Sequence, residues 1–220
     1  MSIKCFLLLN DVIDGKIVYK KEAIMESINK SLENWLNEFE SFSFADYERL
    51  PDLDLYMDQV ITYLDRVLSV FQTSSLDKQI TPSMINNYVK GEVLPSPIGK
   101  KYTKEHIALI EEICSLKQVL NLADIKQILN KRYENVVEKS NVFNNFNELN
   151  KKASSKAIGE AFKSLNFIDD NDSLGLTNMA LENALMALSY LNIAKRILLY
   201  IRVYEDLEKL KEERKEKEGN

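Results

Sequence analysis

Ser83, Asn86, Asn87 and Lys90 stand at i, i+3, i+4 and i+7, so a helix through them lines all four up on one face. Their chemistry is that of reversible polar recognition. An asparagine amide accepts and donates at once, as the major-groove edge of adenine requires, and a lysine ammonium reaches guanine or a phosphate. Ile85, Tyr88 and Val89 form the opposite, apolar stripe, the side that such a helix packs on its own domain. The surrounding charge is uneven. Residues 78–104 hold Lys78, Lys90, Lys100, Lys101 and Lys104 against Glu92 alone, whereas residues 1–60 hold 6 basic and 12 acidic side chains. A local basic stripe is the footprint of a polyanion site and says more than the net charge of -5 for the whole chain. The N-terminal acid is the segment expected to shield that stripe in the free protein.

Other reactive side chains are sparse. Asp52, Asp54 and Asp58 are the densest carboxylates, with Asp54 and Asp58 on one helical face. Acids at a helix start complement its dipole, and that reading is preferred to acid–base catalysis. His106 is the only histidine, which excludes a two-histidine zinc motif. Cys5 and Cys114 are the only cysteines, too few for a disulfide framework or a cysteine-rich metal site. The 6 glycines form no phosphate-cradling pattern. The expectation is a chain without enzymatic activity, cofactor or metal. No apolar run approaches the ~18–20 residues that a membrane helix needs. Cys5-Phe6-Leu7-Leu8-Leu9 is too short for a signal-peptide core. A cytoplasmic protein without a membrane partner is expected.

The elements that must position these residues are mostly α. With 220 residues, 45% apolar and 29% charged, the chain fits one large or two small soluble domains. Ile3–Leu8 and Lys16–Tyr19 flank Asp14-Gly15, the signal of a small N-terminal β-hairpin. From Glu22 a helical period puts Ile24, Ile28, Leu32, Trp35, Leu36 and Phe39 on one face. A second helix starts near Pro51-Asp52 and runs to about Phe71, with Thr73-Ser74-Ser75 as a loop. Thr81-Pro82 is an N-cap with proline at the first helical position, and that helix ends near Gly91. Leu94-Pro95-Ser96-Pro97-Ile98-Gly99 breaks helix, because each proline lacks an N–H and disfavours helix before it. Helices reopen at Thr103, at Leu122 to about Leu129, and at Ser154 to Leu165, followed by a loop at 169–173. From Asn178 to about Lys217 the chain reads as one long helix or two in tandem. Its all-round apolar middle (Leu185, Leu188, Leu191, Ile197, Leu198, Ile201) wants partners on several sides, either the monomer core or a second copy.

The run Ile80-Thr81-Pro82-Ser83-Met84-Ile85-Asn86-Asn87-Tyr88-Val89-Lys90, then Val93-Leu94-Pro95-Ser96-Pro97, then Lys101-Tyr102-Thr103-Lys104-Glu105-His106-Ile107, resembles the DNA-binding domain of MerR-type regulators. The likeness continues to Leu122-Ala123-Asp124-Ile125-Lys126-Gln127-Ile128-Leu129 and covers about residues 76–130. Asn86-Asn87 stand where that family has Arg-Tyr, and Ile98-Gly99-Lys100-Lys101 is a short wing. The resemblance implies a winged helix-turn-helix on double-stranded DNA. Thr81, Ser83, Asn86, Asn87 and Lys90 would face the groove, and Tyr88, Lys100, Lys101 and Tyr102 would hold phosphates. It also implies a homodimer formed through a helix beyond the DNA-binding domain, and a small-molecule effector in 131–200. The wider stretch of about 50–165 is similar to an uncharacterised bacterial family, a domain of unknown function.

The expected architecture is a mostly α protein in three parts: an acidic helical extension at 1–49, a MerR-like helix-turn-helix domain at 50–130, and a C-terminal helical dimerisation or effector region at 131–220. The expected function is sequence-specific, homodimeric transcription regulation. The alternative is a helical protein-interaction module on the same scaffold that does not bind DNA.

Overall fold

The structure is a computed structural model that describes residues 12–13, 16–17, 27–71 and 80–218. It is mostly helical. Val12–Ile13 (β1) pairs antiparallel with Lys16–Ile17 (β2), Val12 opposite Ile17 and Ile13 opposite Lys16. Of the described residues Val12–Ile13 form the first strand; the expected Ile3–Leu8, together with Ile24 and the Thr73–Ser75 loop, lies outside the described residues.

Helix α1 (Ile28–Ser41) is capped by Ser27, whose hydroxyl accepts from Lys30 N at 3.2 Å. Its Leu36 is buried with Ile158, Ala161, Leu165 and Met179, and Leu32, Trp35 and Phe39 pack around them. Ile28, expected on this face, is exposed at the helix start. The next helix begins later than its sequence suggests. Leu55–Tyr56 is a strand (β3) paired with Lys101–Tyr102 (β4), so α2 spans Met57–Val67. Asp54 therefore precedes the helix and shares no helical face with Asp58. Extended Tyr56 caps α2, its N–H donating to Gln59 Oε1 at 2.9 Å.

Helix α3 (Pro82–Lys90) starts as its sequence dictates: the Thr81 hydroxyl accepts from Met84 N at 3.3 Å and Pro82 opens the first turn. Gly91 is its C-cap, donating its N–H to Asn87 O at 2.9 Å. The left-handed residue is the next one, Glu92 (φ 55°). Thr103 and His106 form a capping box for α4 (Lys104–Leu116). Asn121 caps α5 (Leu122–Tyr133), accepting from Asp124 N at 2.9 Å; this helix runs a full turn past Leu129. Helix α6 (Lys139–Leu165) is far longer than the Ser154–Leu165 segment expected. It is held to the chain before α2, where Tyr47 N donates to Asn144 Oδ1 at 2.8 Å and Asn147 Nδ2 donates to Ala45 O at 2.9 Å. Helix α7 (Ser173–Glu218) is single and unbroken.

Among the described residues, two apolar cores result. The larger joins α2 to α5 with the first half of α6, through fully buried Val60, Leu64, Ile85, Ile107, Ile110, Ile113, Ile125 and Phe143. The smaller joins α1, the end of α6 and the start of α7. Asn29 locks this second core, its Nδ2 donating to Ile168 O at 2.9 Å in the α6–α7 connection. The packing of α7 differs from the expectation of apolar partners all round. Leu198 is buried and Leu191 half-buried, but Leu185, Leu188, Ile197 and Ile201 are exposed. By length and composition the stretch Ser173–Lys215 would suffice to cross a membrane. Lys195 and Arg196 interrupt its apolar sequence, which is why no uninterrupted run reveals it.

The main core contains two consecutive glutamates. Glu111 and Glu112 are both fully buried on α4. Tyr63 Oη donates to Glu111 Oε1 at 2.6 Å, and Glu112 has the Tyr133 hydroxyl and Arg132 beside it. Burial pushes each carboxyl up to about 7, although Tyr63 beside Glu111 and Arg132 beside Glu112 pull the other way. A carboxyl raised in the folded state leaves stability intact below the unfolded value of about 4.5 and removes it as pH rises through about 7. Glu112→Gln is therefore expected to add about 1–3 kcal/mol to the unfolding free energy at about pH 8 and little at about pH 4.5. Urea unfolding at both pH values checks this; an equal gain at both would show that charge burial is not the cause.

Candidate nucleic-acid interface

Packing of α3 decides which of its side chains face out. Ile85 and Tyr88 are buried against α2 and α4, with Met84 and Val89 half-buried beside them. Ser83, Asn86, Asn87 and Lys90, with Thr81 at the cap, are all exposed. No described residue lies over them. Helix α1 packs elsewhere, along α6.

A tight hairpin follows α3. Ile98 and Lys101 exchange two backbone hydrogen bonds at 3.0 Å around Gly99 (φ 57°) and Lys100 (φ 67°). Two left-handed residues in a two-residue loop make the turn that matches strand twist. Gly99 occupies its position without strain, and Lys100 does not. Strand β4 then pairs with β3, fixing the hairpin to the start of α2. His106 ties down the other side. Its Nδ1 accepts from Thr103 N at 3.2 Å, and its Nε2 lies 3.3 Å from Ser96 O. Nδ1 as acceptor and Nε2 as donor satisfy both contacts.

The lysines divide into two groups. Among the described residues, Lys90 and Lys100 have no acidic partner, and Lys101 places Nζ 5.3 Å from the Tyr56 ring centroid. Lys104 is drawn away: it pairs with Asp52, donates to Glu48 O at 3.0 Å and lies over the Tyr47 ring. The single acid of the segment is occupied too, since Glu92 accepts from Lys126 of α5 at 2.8 Å, which holds its carboxyl below the ordinary range. The outward side of α3 and the hairpin tip is therefore polar and net positive.

Two of the expected phosphate contacts are corrected. Tyr88 is 2% exposed, with its hydroxyl beside the buried Cys114 thiol, and burial raises both groups' pKa values. Tyr102 is also 2% exposed and packs edge-on to the His106 ring at 5.8 Å. Both occur at core positions of their elements, where an aromatic body contributes more by burial than its hydroxyl does at the surface. The carboxylates do not converge: Asp52 is in its ion pair, and Asp58 is exposed in the first turn of α2. A cleft of about 850 Å³ lies between the end of α3, the Leu94–Ile98 segment, α4 and α5. Val89, Val93, Leu109, Leu129, His106 and Tyr133 line it, so most of it lies outside the 131–200 region expected to take an effector. Ser83, Asn86 and Asn87 are not part of that cleft. They stand on the exposed face of α3.

Residues 45–152 match the family described as Domain of unknown function (DUF1836). That domain contains α2 to α5, the hairpin and the first half of α6. No curated protein and no solved structure matches the chain.

The strain at Lys100 has a measurable consequence. Lys100→Gly is expected to stabilise the fold by about 0.5–1 kcal/mol, because glycine adopts a positive φ without steric cost. Thermal unfolding checks this. A lower midpoint would mean that contacts of the Lys100 side chain hold the turn.

Proposed function

We propose that this chain is a sequence-specific DNA-binding transcriptional regulator whose DUF1836 domain is a winged helix-turn-helix of the MerR type. The observation that carries this reading is the outward stripe of Ser83, Asn86, Asn87 and Lys90 on a helix whose opposite face is buried, beside a hairpin tip that presents Lys100. An α-helix of this polarity fits the major groove, where amides read base edges and lysines take phosphates. The order β3, α2, α3, hairpin, α4, α5 supports it, as does the pairing of Glu92 and Asp52 with lysines other than Lys90 and Lys100. The chain acts without catalysis or a cofactor, in the cytoplasm. Of the side chains first expected to reach DNA, Thr81, Ser83, Asn86, Asn87, Lys90, Lys100 and Lys101 remain in this proposal. Tyr88 and Tyr102 support it from the core.

The second reading, a protein-interaction module that has lost DNA binding, draws on the apolar surface of α7. Selection of bound fragments from the source genome with purified protein separates the two, since an interaction module enriches no sequence. With an enriched site in hand, Lys100→Ala with Lys101→Ala should weaken binding to all sequences and reduce the salt slope by about 2. Asn87→Ala should instead cost about 1–3 kcal/mol on the preferred site and relax preference at one base position. Equal losses on specific and random DNA for Asn87→Ala would remove it from base readout.

A further inference from the structure

The only histidine of the chain is buried where two backbone groups dictate its protonation. Thr103 N lies 3.2 Å from His106 Nδ1, and an amide N–H can only donate, so Nδ1 must accept. Ser96 O lies 3.3 Å from Nε2, and a carbonyl can only accept, so Nε2 must carry the proton. The neutral ring therefore bridges the cap of α4 and the chain that leads into the hairpin. Pro95 and Pro97 flank Ser96 and have no N–H, so the ring supplies an anchor that the backbone there lacks. The Thr103 hydroxyl stands 2.8 Å from Nδ1 in the capping box, and Tyr102 of β4 packs edge-on to the ring.

A second proton conflicts with this arrangement. An imidazolium carries a donor on both nitrogens, so Nδ1–H would meet the Thr103 N–H, donor against donor. The Thr103 hydroxyl can turn to accept the new proton, but the Thr103 N–H then loses its acceptor. The surroundings offer the cation little in return. His106 is 6% exposed, in the wall of the cleft between the end of α3 and α5. The other charged or titratable side chains lining that cleft are Tyr47, Glu92, Lys104, Glu105, Tyr133 and Lys139. Both carboxylates are engaged, Glu92 with Lys126 at 2.8 Å and Glu105 with Lys139 at 2.7 Å. Lys104 and Lys139 add positive charge, and the Tyr133 hydroxyl is committed to Glu112.

We infer that His106 is a protonation latch for the hairpin: the neutral ring clamps Ser96 to Thr103, and a second proton releases Thr103 and loosens the hairpin. The contacts lie within the chain, so the latch does not depend on the DNA reading. A hairpin that does touch DNA would hold it less firmly in acid.

The test is long-range proton–nitrogen NMR on the full-length, isotope-labelled chain, in which one histidine gives one imidazole pattern. The ring is expected as the Nε2–H tautomer at about pH 8 and as imidazolium at about pH 5. Over that range the hydrogen-exchange protection of the Ile98 and Lys101 amides, which bond across the turn, should fall about 10-fold, the loss of roughly one hydrogen bond. Glu111 and Glu112, pushed up to about 7 by burial, titrate in the same range, but acid adds stability through them, so they cannot produce this fall. His106→Gln retains the cap, because glutamine is an ordinary third residue of a capping box, and should abolish the loss of protection. Four results would overturn the inference: an Nδ1–H tautomer at about pH 8, a ring still neutral at about pH 5, protection that does not fall as the ring titrates, or the same fall in His106→Gln. The first three use the unsubstituted chain and do not rely on the variant folding.

Discussion

Eight of the thirteen residues of α4 are buried, from His106 to Cys114, and every other element of the main core is arranged to cover them. The α2 residues Val60 and Leu64, the α3 residues Ile85 and Tyr88, Ile125 of α5 and Phe143 of α6 all pack into that one cluster. Full burial of one aliphatic side chain contributes about 1.5–3 kcal/mol. Ile107, Ile110 and Ile113 together therefore outweigh the charge-burial penalty of one glutamate, and the surrounding elements must offset that of the second. This placement fixes the rotation of α3. Once Ile85 and Tyr88 are committed to α4, Ser83, Asn86, Asn87 and Lys90 have only solvent to face.

The hairpin is tied to the same helix. Thr103 caps α4 and His106, one turn in, holds both the cap and the Ser96 carbonyl, while β4 pairs with the strand ahead of α2. A short loop anchored on both sides keeps its tip at a fixed position relative to α3. That rigidity accounts for a lysine at a left-handed position: closing the turn by backbone hydrogen bonds offsets the strain of Lys100. The local charge follows from these positions as well. Lys104 and Glu92 occur within the basic stretch, but ion pairs draw both to neighbouring elements, and Lys90 and Lys100 remain.

The long helices extend beyond both cores. Helix α6 begins in the main core at Phe143 and ends in the second at Ile158 and Leu165, with an exposed middle. Helix α7 starts in the second core at Met179, packs against the first at Leu191 and meets α5 at Leu198, whose carbonyl accepts from Gln127. Between those contacts, residues 181–190 are exposed throughout, so the helix is supported at two points. An unbroken helix of 46 residues is about 70 Å long, more than a domain of this size can cover with its own surface.

Local sequence determined much of this protein. The start of α3 at Thr81-Pro82, its end at Gly91, the proline-rich break and the restart at Thr103 are legible because capping and proline geometry act over a few residues. The two faces of α3 were equally legible from helical period. Strand β3 was not, since Leu55-Tyr56 is a strand only by pairing with Lys101–Tyr102, a partner far along the chain. The same holds for Tyr88 and Tyr102, whose hydroxyls suit a surface but whose rings are claimed by the core. Glu111 had a readable signal, lying four residues after Ile107 and three before Cys114, but charge hid it. The sequence by itself fixes where helices begin and which residues share a face, because those are properties of one turn of backbone. Only tertiary packing decides which face is buried, which lysine is held by a neighbouring carboxylate, and that the rest of the described chain leaves the apolar side of α7 uncovered, because burial is a competition among all the faces of the chain at once.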